Sequence, residues 1–150
     1  MSSLSPVAAS EAELASRLRL AVTRLARRLR TQLPGELSPS QLATLSSVER
    51  LGPLTLGELS NVERVKPPSM TKIVGCLEEQ GLVSRTVDEK DRRVARVRAT
   101  PAGLRFLEES RQQKDAYLAE RLRSLAPADR VALERATDAL ERLLDDRDDG

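Results

Sequence analysis

The chain has 150 residues, 39% of them hydrophobic and 32% charged, with one phenylalanine, one tyrosine, one cysteine and no histidine or tryptophan. That is one domain's worth of protein, and Leu, Val, Ile and Phe supply 38 residues against a net charge of only +2, so a packed core is expected and disorder is not. Without histidine there is no Ser-His-Asp or Cys-His machinery and no histidine metal ligand, and a single cysteine builds neither a zinc knuckle nor an intrachain disulfide, so no metal, cofactor or enzymatic activity is expected.

Leu14, Leu18, Val22, Leu25 and Leu29 recur at three- and four-residue steps, with Arg17, Arg24, Arg27, Arg28 and Arg30 mostly on the other faces. This spacing predicts an amphipathic helix over about 11–32, stopped by Leu33-Pro34-Gly35. Ser38-Pro39 reads as an N-cap and first helical residue, opening a helix with Leu42, Leu45 and Val48 inward that ends near Gly52-Pro53. Thr55 can cap a third helix over 56–63, with Leu56, Leu59 and Val62 on one side. A fourth starts at Pro67-Pro68, where the missing N–H groups would have had no intrahelical partner. Met70, Ile73, Val74 and Leu77 are its buried stripe, and Gly81 its stop.

After Gly81 the period changes from helical to alternating. Residues 82–87 and 93–99 are strand candidates around Asp88-Glu89-Lys90-Asp91-Arg92, a charged turn. Thr100-Pro101 opens a long helix to about Leu125, and after Ala126-Pro127 a last helix over about 128–145 runs into a charged tail. The expected fold class is mainly α with a small β-hairpin: a winged helix-turn-helix over 37–100 flanked by helices 11–32 and 101–145. The outer leucines, among them Leu14, Leu18, Leu118, Leu122, Leu133, Leu140 and Leu143, need a partner. A two-fold dimer supplies one; an intrachain three-helix bundle is the alternative.

Charge is segregated along the chain: residues 61–105 carry ten basic and six acidic side chains, residues 126–150 four and eight. Within the basic stretch, the stripe opposite the fourth helix's apolar face is Pro68, Thr71, Lys72 and Gly75, flanked by Ser69 and Cys76. A recognition helix offers such groups to a major groove: lysine to a guanine edge, hydroxyls to base or phosphate, glycine for close approach. An ordinary solvated face reads the same way when taken alone. At the hairpin tip, Arg92 and Arg93 beside Asp88 and Asp91 form an extended cation suited to a minor groove, with the acids able to fix arginine rotamers. Cys76 admits two readings, an oxidation sensor or a small half-buried packing residue, and the packing role is preferred.

The run L-S-N-V-E-R-V-K-P-P-S-M-T-K-I-V-G-C-L-E-E-Q-G-L-V-S-R, followed by D-E-K-D-R-R and T-P-A-G, resembles the MarR (multiple antibiotic resistance regulator) family of transcription factors over nearly the whole chain. The resemblance implies a single domain over 1–150 and a homodimeric winged-helix protein that binds a palindromic double-stranded DNA operator. It also implies a repressor, with release by a small aromatic or phenolic ligand or by cysteine oxidation. By position it places Pro68, Ser69, Thr71 and Lys72 at the major groove and Arg93, with Arg92, at the minor groove. Arg64 stands where the family often has glycine, and Lys66 where some members have an acid that pairs with the wing arginine, so Asp88 or Asp91 is expected to orient the arginines here. The competing reading is a winged-helix module that binds another protein. No apolar run approaches the roughly 20 residues that span a bilayer, so no membrane partner is expected and the expected compartment is cytoplasmic.

Overall fold

The computed structural model describes residues 10–31 and 37–145. Their elements, in order, are α1 (Glu11–Thr31), α2 (Pro39–Leu51), β1 (Leu54–Thr55), α3 (Leu56–Glu63), α4 (Pro67–Glu79), β2 (Val83–Val87), β3 (Ala95–Ala99), α5 (Pro101–Arg123) and α6 (Pro127–Asp145). The chain divides into two compact units, one ending at Gln113 and the other beginning at Lys114, with α5 continuous through the boundary. The expected stop of α1 at Leu33-Pro34-Gly35 and the acidic tail after Asp145 lie outside the described residues.

The element boundaries follow from capping chemistry. Ser38 and Gln41 cap α2 reciprocally: the Ser38 hydroxyl accepts from the Gln41 N–H at 3.2 Å, and Gln41 Oε1 accepts from the Ser38 N–H at 3.0 Å. The Thr55 hydroxyl accepts from the Glu58 N–H at 3.1 Å and starts α3. α3 ends on Arg64, which takes the left-handed conformation, φ 53°. The turn geometry that favours glycine is therefore reached by an arginine, at a backbone cost of about 1 kcal/mol. The T-P-A-G motif acts at the start of α5. The Thr100 hydroxyl accepts from the Gly103 N–H at 3.1 Å and donates to the Gly81 carbonyl at 2.6 Å. A Cβ on Gly103 would lie 2.1 Å from the Leu82 carbonyl oxygen, so only glycine lets α5 approach the turn after α4 this closely.

The core of the first unit joins Leu45 and Val48 of α2, Leu54, Leu59, Met70, Val74 and Leu77, then Leu82, Val83 and Val97 around the sheet, and Leu107 of α5. Three expectations are corrected. The sheet has three strands, ordered β1-β3-β2 and antiparallel throughout, because Leu54 and Thr55 pair with Val97 and Arg96. The wing strands are also shorter than predicted, starting at Val83 and Ala95. In α3 the inward face is Leu59 and Ser60, while Val62 is exposed. The last turn of α3 is bonded to α2 through a hydrogen bond from the Ser47 hydroxyl to Glu63 Oε1. In the outer helices, neither α1 nor α6 contains a buried residue.

Candidate nucleic-acid interface

α4 is fixed by its apolar stripe: Met70, Val74 and Leu77 are fully buried and Ile73 half-buried. At 100° per residue this turns Pro68, Ser69, Thr71 and Lys72 to solvent, and all four are exposed. Gly75 continues the same stripe half-buried, and a Cβ built on it would meet no atom within 4 Å. Pro67 and Pro68 occupy the first turn, and the N-cap, Lys66, makes no side-chain capping bond. The Thr71 hydroxyl donates to the Pro67 carbonyl at 3.0 Å, which leaves its oxygen to accept from outside. Among the described residues Lys72 has no ion pair. Glu78, the acid nearest this face, is instead engaged by Arg85 of β2 at 3.1 Å. The face is thus cationic, and the small residues on it keep it low. Cys76 is a free, half-buried cysteine beside it.

The wing is shaped by two aspartates. Asp91 Oδ1 accepts from the Arg93 N–H and from Arg93 Nε, both at 3.1 Å, and Oδ2 from Nη2 at 3.4 Å. Asp88 Oδ1 accepts from the Lys90 N–H at 2.8 Å, and Oδ2 from Arg96 Nη1 at 2.7 Å. The backbone closes the loop between them, with Asp88 N–H donating to the Val94 carbonyl at 2.9 Å and Val94 N–H to the Asp91 carbonyl at 3.0 Å. Both carboxyls are held below their ordinary range, Asp91 chiefly by the Arg93 side chain and Asp88 chiefly by the Arg96 side chain. Arg93 thus combines a fixed direction with a side chain that is 91% exposed. Arg92 is exposed and has no ion pair among the described residues.

The expectation that Asp88 or Asp91 orients the tip arginines divides between the two acids: Asp91 holds Arg93, while Asp88 holds Arg96, a residue not singled out in the sequence. Arg96 and Arg98 flank buried Val97 on β3, opposite Thr86 and Ser84 of β2. The alternation R-V-R was the available signal, since it places both arginines on the outer sheet face. Lys66 makes no ion pair among the described residues.

The outer helices keep their apolar stripes in the open: Leu14 is 55% exposed and Leu143 62%, with Leu122 and Leu133 exposed as well. Leu18, Leu118 and Leu140 are half-buried. Among the described residues no group of His, Cys, Asp or Glu side chains could hold a metal ion, and no helix is long and apolar enough to cross a membrane.

The MarR family model matches residues 37–95, from the start of α2 to the start of β3. An HTH-type transcriptional regulator of Mycobacterium tuberculosis is 38% identical over 138 residues, covering 91% of this chain and 96% of that protein. The structure of a MarR family protein from Bacillus stearothermophilus superposes with a TM-score of 0.74 at 33% identity, covering 91% of this chain and 99% of the other. A Staphylococcus aureus MepR mutant, solved bound to an oligodeoxyribonucleotide, shares the fold with a TM-score of 0.67 at 18% identity, covering 88% of this chain and 96% of its own.

Proposed function

The chain belongs to the MarR family of winged helix-turn-helix transcriptional regulators, DNA-binding proteins that are not enzymes, and from that premise we propose that it is a cytoplasmic repressor that binds a palindromic operator as a homodimer. In this reading α4 enters the major groove, with Lys72 donating to a base edge and Pro68, Ser69, Thr71 and Gly75 forming the contact surface. Arg93 enters the flanking minor groove, and Arg92 adds a cation beside it. The low cationic stripe of α4 carries the reading: Lys72 is exposed and without an ion pair among the described residues, and Gly75 opens onto empty space. The dimer is supported by the exposed leucines of α1, α5 and α6, since two copies placing those stripes together would remove them from water. The release signal is read as a small aromatic or phenolic ligand, the class carried by the family resemblance, and adding such compounds to the preformed complex tests it.

Selection of duplexes from random-sequence DNA by the purified protein, followed by affinity measurements over a range of salt, tests the central claim. Binding should fall linearly on a log–log plot, with a slope of about −0.9 per phosphate neutralised. Lys72→Ala should weaken the selected duplex by about 1–3 kcal/mol and relax preference at one position per half-site. Failure to enrich any sequence, or binding indifferent to salt, refutes the proposal and points to a protein partner.

A further inference from the structure

A helix anchored at its first turn and held beyond it by burial alone is fixed more firmly in depth than in angle. α5 begins at such an anchor, where Thr100 and Gly103 sit against the Gly81 and Leu82 carbonyls. Buried Leu107 and Ser110 follow, with Phe106 packed against the core, and these contacts fix depth better than direction. Arg111 lies eight residues beyond Gly103, about 12 Å along the axis. It reaches Glu49 of α2 through two bonds, Nη1 to Oε1 at 3.2 Å and Nη2 to Oε2 at 2.5 Å. A forked pair between planar groups constrains angle as well as distance. The Glu49 carboxyl is held below its ordinary range, chiefly by this hydrogen bond and against the effect of burial. Two residues earlier on α2, the Ser47 hydroxyl is bonded to Glu63 at the end of α3, and α3 turns through Arg64 into α4. α2 is therefore bonded directly to α5 and to α3, which turns through Arg64 into α4, the helix that carries the recognition stripe.

We propose that Glu49 and Arg111 are a positioning pair that sets the angle at which α5 leaves the winged unit, and thereby the spacing between half-sites that the dimer accepts. This rests on the dimeric operator binding proposed above. A slip of 1 Å at Arg111 would tilt α5 by roughly 5° about Gly103, given that 12 Å lever arm. Moving a half-site by one base pair displaces it by about 3.4 Å and turns it by about 35°, so spacing selectivity depends on a stiff joint. An exposed ion pair adds little to stability, which separates a positioning role from a merely structural one.

The test uses the full chain and the duplex selected by the wild-type protein, together with versions whose half-sites are moved closer or apart by one and two base pairs, and a duplex with a single half-site. Wild-type binding should drop by about tenfold or more when the spacing changes. Arg111→Ala should reduce that preference to about threefold or less, with single half-site affinity, dimer mass and melting temperature unchanged. The exchanged double variant Glu49→Arg/Arg111→Glu should restore it. Should Arg111→Ala fail to fold, Arg111→Lys, which keeps the charge but not the fork, replaces it with the same expectation. An Arg111 variant that keeps the wild-type spacing profile, or that loses single half-site and full-operator affinity in equal proportion, overturns the proposal. A wild-type protein that selects no duplex instead places the failure on the DNA-binding reading itself.

Discussion

Replacing Gly75 by alanine should strengthen the free protein and weaken its complex with DNA. Gly75 is the ninth of thirteen residues in α4, where glycine costs about 0.5–1 kcal/mol relative to alanine through backbone entropy. Nothing in the structure demands that cost: a Cβ there meets no atom within 4 Å, and the backbone is ordinary helix. The substitution should therefore raise the melting temperature by roughly 4 °C, the shift that about 1 kcal/mol produces in a unit of this size. In the complex the added methyl points along the stripe of Thr71 and Lys72, so a groove that closes on Gly75 must be pushed back from both. Losing one good base contact in this way costs about 1–3 kcal/mol, or roughly 5- to 150-fold in Kd. Thermal melting, with fluorescence anisotropy on the selected duplex at fixed salt, measures both effects. A lower melting temperature would contradict the open-space argument, and a higher one with unchanged affinity would show that DNA does not approach this point.

Arg93→Ala should weaken every operator variant, reduce the salt slope by about 2 per dimer and erase any preference for A·T flanks, while the melting temperature hardly moves; a destabilised protein with intact affinity in its folded fraction would make the arginine structural. Because Asp88 and Asp91 titrate below their ordinary value of 3.8 when folded, the wing's acid–arginine bonds are complete at neutral pH and lost only as pH falls from about that value through the folded values. Amide signals of the Lys90 and Arg93 N–H groups should hold their shifts from pH 7 to 5 and move below that range, and earlier movement would refute the assignment. Leu140→Asp with Leu143→Asp should give monomers or unfolded protein by analytical ultracentrifugation and abolish operator binding, whereas an intact dimer contradicts the proposed interface. Arg64→Gly should raise stability by up to about 1 kcal/mol, since glycine adopts φ 53° without strain, and a loss would show that the arginine side chain supports the turn. Cys76→Ser should keep DNA binding and whatever derepression the wild type shows, and a variant that binds but no longer responds to peroxide would reverse the packing assignment.

Helix boundaries were legible because they are written in local chemistry. Ser38-Pro39, Thr55, Pro67-Pro68 and Thr100-Pro101 each mark a helix start within a residue or two, and each start is found. What a periodicity argument misses is structure whose reason lies elsewhere in the chain. β1 is two residues long, too short to show alternation, and exists because Leu54 meets Val97 in the third strand. Val62 was misplaced for a related reason. Counting apolar residues puts Leu56, Leu59 and Val62 on one face, but Leu59 and Ser60 are the buried pair, Glu63 is half-buried and bonded to Ser47 of α2, and Val62 is exposed. Glu63 is bonded to a donor from another helix, which hydropathy does not record, whereas the buried Ser60 hydroxyl has no partner among the described residues.

The candidate interface divides along the same line. The stripe Pro68, Ser69, Thr71, Lys72 and Gly75 follows from the period of one helix. The Asp91–Arg93 bond follows from residues two apart, so the wing-tip geometry was also within reach. The Asp88–Arg96 pair was not, because it joins diagonal neighbours across two antiparallel strands and depends on a register that pairs Val87 with Ala95. Glu49 and Arg111 stand 62 positions apart and carry no common motif. Such pairs explain why the charged residues of this chain cannot be sorted by type alone. Arg85, Arg96 and Arg111 have acidic partners within the protein that account for their positions. Lys72 and Arg92 have none among the described residues, and both lie on exposed surfaces of the helix and wing. Arg93 is bonded to Asp91 and still 91% exposed, so on the proposed DNA-binding reading it is exposure on the helix and wing, with or without an internal partner, that suits a cation to a polyanion.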